Sequence, residues 1–205
     1  PGPANAQAML ERQLQRLSPA ARELAAAAAL AGGDWHAELA PLLLGRSMLS
    51  LAPAWSELEA AHLMQGQGFA HDLVREAALG LVPPSWRAGL HAQMADAMVT
   101  RTQSDPARVA EHGWAAGRWR EAAQALRQAA ERTRHAGRLE DHEALLLRAA
   151  DAHDRAGETE ARFDALAGAA TAAMLRLSVG DAAEDLAWAC LMPWRFGQIH
   201  QRVAG

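Results

Sequence analysis

Gly117-Arg118-Trp119-Arg120-Glu121 is answered 20 residues later by Gly137-Arg138-Leu139-Glu140-Asp141, and after the same interval by Gly157-Glu158-Thr159-Glu160-Ala161. This recurrence decides the fold. Between the glycines, Leu126, Leu146 and Leu166 keep the same spacing, each followed at the third and fourth positions by an alanine pair: Ala129-Ala130, Ala149-Ala150 and Ala169-Ala170. A leucine with small residues at i+3 and i+4 forms one face of a helix, so the unit is one helix plus a glycine-containing corner. A fourth block opens at Gly180-Asp181. Two units make a helical hairpin of about 40 residues, within the α-solenoid range and above the roughly 34 of a strict tetratricopeptide repeat.

Helix signals continue toward the N-terminus. Ser18-Pro19 and Asp105-Pro106 each pair a capping side chain with a proline suited to the first turn. From Ser18-Pro19 a helix is expected to run to Gly32-Gly33, with a second from Asp34 to Leu44 ended by Gly45, and a third over Pro53 to Leu63, which Pro53 interrupts. Gln65-Gly66-Gln67-Gly68 reads as a tight turn, flanked by a minimal two-stranded wing or by no strand at all. Leu73, Ala77 and Leu81 mark a further helix stopped by Pro83-Pro84, and Leu90, Met94 and Met98 mark another. Pro1 to Met9 lack periodicity, so 1–14 is expected to be a linker or terminal edge, 15–100 a winged-helix-like helical domain and 105–205 a helical repeat domain. The predicted class is all-α.

Composition narrows the function. The chain is 205 residues long, 50% hydrophobic and only 5% aromatic, without tyrosine; its 20 basic residues are all arginine. Alanine, leucine and arginine favour helix because their side chains lose little freedom there. The net charge of -4 is spread along the chain, leaving no basic face to neutralise phosphates, so direct nucleic-acid binding is not expected. The single cysteine, Cys190, fits a reducing compartment, and no apolar run reaches the roughly 20 residues that span a bilayer; a cytoplasmic location without membrane attachment is the expectation.

Catalytic motifs are missing. A P-loop needs a lysine for the terminal phosphates, and the chain has none; Gly-x-Ser-x-Gly, cysteine pairs and His-Glu-x-x-His are absent as well. Asp141-His142, His135 and His153 do not form the i, i+4 histidine pair that would grip one metal, and the repeat register puts His142 and His153 near the packing face. Neither an enzyme nor a metal site is predicted. Trp114 and Trp119 flank a Gly-Arg corner, with Trp188 and Trp194 further on. Trp114, Trp119 and His142 are the candidates for lining a partner groove, against core packing at helix junctions as the plainer role.

The block Phe69-Ala70-His71-Asp72-Leu73-Val74-Arg75-Glu76-Ala77-Ala78-Leu79, with Leu81-Val82-Pro83-Pro84-Ser85-Trp86-Arg87 and Leu90-His91 after it, resembles a segment of the signal-transduction ATPases with numerous domains (STAND). In those large bacterial regulators, related to the maltose-type activators, it joins a winged-helix domain to tetratricopeptide-like repeats. Arg16-Leu17-Ser18-Pro19-Ala20-Ala21-Arg22-Glu23-Leu24 resembles the start of the winged-helix domain, and Ala110-Glu111-His112 through Trp119-Arg120-Glu121-Ala122-Ala123 the first repeat hairpin. The resemblance implies a regulatory and sensor region that binds a protein, peptide or small inducer and packs on an upstream nucleotide-binding domain. It further implies that ADP or ATP is bound by the parent protein, with no cofactor in this chain, and that His71 is a nucleotide sensor in the parent only. A free-standing scaffold or adaptor is the alternative. A DNA-binding winged-helix regulator fits less well, because its recognition helix would present Glu57 and Glu59 and no arginine between Ser47 and Met64.

Overall fold

The structure, a computed structural model, describes residues 3–101 and 104–178. These are mostly helical, as an all-α class requires: α1 Pro3–Gln15, α2 Pro19–Ala31, a 3-10 turn Gly32–Asp34, α3 Leu39–Leu44, α4 Met48–Ala60, α5 Asp72–Leu79, α6 Pro84–Val99, α7 Pro106–Ala115, α8 Trp119–His135 and α9 Leu139–Arg155. A last helix, α10, occupies 159–178. The strands among the described residues are β1 Met64–Gln65 and β2 Gly68–Phe69, antiparallel, with Met64 opposite Phe69 and Gln65 opposite Gly68. Gly66 supplies the positive φ of 62° that this two-residue turn needs at its first central position. Among the described residues no helix is long and apolar enough to cross a membrane.

The chain divides into two compact units, Pro1–Ala125 and Leu126–Gly205. In the first, α2 is the centre. Ala21, Leu24, Ala25, Ala27, Ala28, Ala29, Leu30 and Ala31 are all buried, covering nearly its whole circumference, and α3, α4, α5 and α6 pack around it. Small side chains let those neighbours approach closely. Ser18 caps α2: its hydroxyl accepts from the Ala21 amide, while its own amide and hydroxyl donate to Glu57 at 2.7 and 2.5 Å, fastening α4 to the start of α2. Beyond the Asp105-Pro106 signal, α7 packs against α6 within this same unit.

Three segments differ from their sequence-based expectation. Residues expected to form a linker make up α1, and Leu14 is fully buried at 0% exposure in the cluster that holds Leu24 and Leu58. The second helix does not begin at Asp34: Trp35 adopts extended backbone, which buries its ring in a 6.3 Å stack on Trp55, and regular helix resumes only at Leu39. The third helix starts earlier, at Met48, capped by Ser47, and runs through Pro53. Proline there withholds the donor for the Leu49 carbonyl, which is tolerable because Leu49 and Pro53 both face solvent.

The glycine corners share one hydrogen-bond pattern. Gly117, Gly137 and Gly157 have φ of 71, 73 and 73°. The residue after each donates its amide to the carbonyl five back, Arg118 to Gly113, Arg138 to Thr133 and Glu158 to His153, at 2.9 Å every time; each glycine amide reaches three back at 3.0 Å. This is the Schellman closure of a helix, which requires a left-handed residue. His62 occupies the same position after α4, with φ 55° and the matching Leu63-to-Leu58 bond. Opposite effects are therefore expected: Gly137→Ala lowers stability by about 1 kcal/mol, with no atom near enough to clash with the new methyl, whereas His62→Gly raises it by up to about 1 kcal/mol. Urea unfolding of both variants measures the two signs.

In the second unit, Ala130, Leu146 and Ala169 form a small core with Leu145 beside it. Gly168 lies 3.1 Å, measured from where its Cβ would stand, from a Leu146 methyl. On α10, Ala165, Ala169 and Ala172 are buried, while Leu166, expected on the inner face, is 38% exposed and Ala170 is exposed. The Gly180 block, Cys190, Trp188 and Trp194 lie outside the described residues.

Candidate functional site

His71 stands at the N-cap of α5 with extended backbone; its ring is exposed and makes no capping bond. The imidazole thus projects from the positive end of a helix. Trp114 and Trp119 meet edge to face at 5.3 Å and 83° across the Gly117 corner, each half-buried. His142 is buried, and its Nδ1–H donates to the Ala130 carbonyl at 2.7 Å, so its ring holds α9 to α8 and does not open onto a groove. His153 is buried as well, paired through Nδ1 with Glu158 at 2.8 Å. Asp141 pairs with Arg138, and no three metal-ligating side chains converge among the described residues.

The first unit contains a polar cluster that the sequence does not announce. Asp34, at the end of the 3-10 turn, accepts a forked pair from Arg108 of α7, with Nε at 3.0 Å and Nη2 at 2.7 Å. One turn along α7, His112 reaches the same carboxylate through Nε2 at 3.2 Å. Its Nδ1 lies 2.8 Å from Nδ1 of His91 on α6. The tautomers follow from these contacts. Facing a carboxylate, His112 Nε2 carries the proton, so the neutral ring accepts at Nδ1, His91 donates from its own Nδ1, and His91 Nε2 is left as a bare acceptor.

Burial sets the electrostatics. It lowers the His91 pKa, with further lowering from the charges of His112 and Arg87. Burial also lowers that of His112, and the opposing hydrogen bond and charge of Asp34 do not cancel it. For Asp34 the balance goes the other way: burial works to raise its pKa, but the Arg108 hydrogen bonds and charge, joined by His112, hold it below the usual carboxylate value. The cluster borders an open cleft of about 550 Å³ that also involves Arg75, Glu111, Gly32 and Gly33.

A second, larger cleft of about 840 Å³ lies between α2, α3 and α6, with Leu43, Leu44, Leu81, Trp86 and Leu90 in its wall. Trp86, in this wall, is 68% exposed. An indole open to water beside other apolar groups is the composition of a contact surface.

No family model matches the chain, and neither a curated protein nor a solved structure matches it.

Proposed function

We propose that this chain is the non-catalytic regulatory and sensor region of a larger cytoplasmic STAND-type ATPase, its first unit winged-helix-like and its later helices tetratricopeptide-like. The repeats bind a protein, peptide or small inducer, and the first unit packs on the parent's nucleotide-binding domain. The observation that carries the reading is the set of identical Schellman corners at 20-residue intervals, alternating with helices whose buried faces are rich in alanine. Repeated helical hairpins of that kind stack to form binding surfaces rather than to assemble reacting groups. The short β1-β2 hairpin following α4 supports a reduced winged helix, and the exposed Trp86 supports a contact surface on the first unit. The exposed ring of His71 at a helix start suits a phosphate oxygen of bound ADP.

Inducer binding would then shift the balance between packed and released states, to the extent that the inducer prefers one of them. The test mixes this chain with the parent's nucleotide-binding domain in ADP, in ATP and without nucleotide. Tightest association is expected in ADP, weakened about tenfold or more by His71→Ala, the scale of one hydrogen bond to a charged group. Failure to associate in all three conditions overturns the proposal.

A further inference from the structure

The 550 Å³ cleft in the first unit contains an unequal set of charges. Of its two guanidinium groups, Arg108 is engaged with Asp34 at 2.7 Å, whereas Arg75, half-buried on α5, has no carboxylate or hydrogen-bond acceptor among the described residues. His91 lines the same cleft; its Nδ1 is held by His112, and its Nε2 has no hydrogen-bond partner among the described residues. A partly buried guanidinium without a counter-charge is unusual, since its planar fork is matched by the oxygens of a carboxylate or phosphate.

We propose that this cleft is a binding site for a small phosphate- or carboxylate-bearing anion, with Arg75 as the forked contact and His91 Nε2 as the second donor. For Nε2 to donate, the histidine pair must take up one proton. The hydrogen-bonded chain makes this feasible: Nδ1 of His91 already donates to His112, so a proton added at Nε2 completes an imidazolium whose charge is answered by the bound anion on one side and by Asp34, through His112, on the other. The charged groups around the pair are Asp34 from the 3-10 turn, Arg75 from α5, Arg87 on α6, and Arg108 and Glu111 on α7. Three guanidinium groups against two carboxylates disfavour a cation in the same place. Proton uptake and anion binding are thus linked, and each strengthens the other.

This site is independent of the proposed repeat function and of any parent ATPase. Its test is calorimetric titration of the full chain with inorganic phosphate and, separately, acetate at pH 6 and pH 8, with the imidazole resonances followed by NMR. Saturable binding is expected and, for acetate, whose charge is the same at both pH values, is about tenfold tighter at pH 6 than at pH 8, with the His91 and His112 signals moving. Whichever anion binds more tightly identifies the ligand as phosphate- or carboxylate-bearing. Arg75→Gln should weaken binding by about tenfold or more, and Arg75→Lys, which keeps the charge without the fork, by less. His91→Gln should leave residual acetate binding that no longer responds to pH. Absence of saturable binding of either anion at pH 6 by the folded chain, or wild-type affinity in both Arg75 variants, overturns the proposal. Either result would leave the reading of the repeats untouched.

Discussion

Replacing Leu14 by alanine is expected to lower the free energy of unfolding by about 2–5 kcal/mol, a large share of the stability of a domain this size. Leu14 is fully buried in the same cluster as Leu17, Leu24, Leu58 and Val74, and α1 packs along α5. Removing most of its side chain would forfeit the transfer energy and leave a cavity lined by leucine and alanine, side chains too short to fill it. The helix is also fixed by polar contact, since Gln13 donates from Nε2 to the Ala61 carbonyl at 2.7 Å. Met9, 68% exposed on the same helix, is the control: Met9→Ala should change stability by no more than about 0.5 kcal/mol. Urea unfolding of the two variants separates them. Equal, small effects would mean that residues before Ser18 are not part of the folded core.

That helix was legible, though composition hid it. Leu10, Leu14 and Leu17 stand at i, i+4 and i+7, but the Pro, Gly, Ala and Asn of the first nine residues, without periodicity, read as a linker. Caps and corners were plainer, because their chemistry is local: Ser18-Pro19, Asp105-Pro106 and the three glycines mark the helix ends where the structure has them. Packing across helices is not local: of the expected α10 stripe Ala169 is buried but Leu166 and Ala170 are exposed, and the approach of Leu146 to Gly168 is visible only when both helices are in hand. Trp35 likewise leaves the helix for a stacking partner 20 positions away.

The polar cluster was the least legible part. Arg108 and His112 are four apart and share a face of α7, which is a signal, but Asp34 and His91 come from two other segments. Nothing in their spacing along the chain links them. His142 and His153, by contrast, are buried, near the packing face as the repeat register suggested, His142 bonded to the Ala130 carbonyl on the preceding helix and His153 to Glu158.

Asp34→Asn is expected to lower stability at pH 7.5 by about 1–3 kcal/mol, because it removes the one negative charge among the described residues that is bonded to both Arg108 and His112, while preserving side-chain shape. Its second consequence is a change in pH dependence. In the wild type both His91 and His112 have lowered pKa values in the fold, so as pH falls through about 6.5 the unfolded chain takes up protons that the folded one refuses. Stability is therefore fully present above that pH and declines below it, by at most about 1.4 kcal/mol per pH unit for each histidine. Asp34 adds a second decline at lower pH: its own lowered pKa contributes stability above about pH 4 that is lost as the carboxylate becomes protonated. With asparagine in place, His112 loses the group that opposes its desolvation, so its folded pKa drops further and the loss from the histidines extends over a wider range below pH 6.5. The later, carboxylate-linked loss at residue 34 disappears. Urea unfolding of both proteins at several pH values between about 2 and 8 resolves the two regions. Parallel profiles, or a loss under 0.5 kcal/mol at pH 7.5, would show that the carboxylate does not hold the turn, α7 and the histidine pair together.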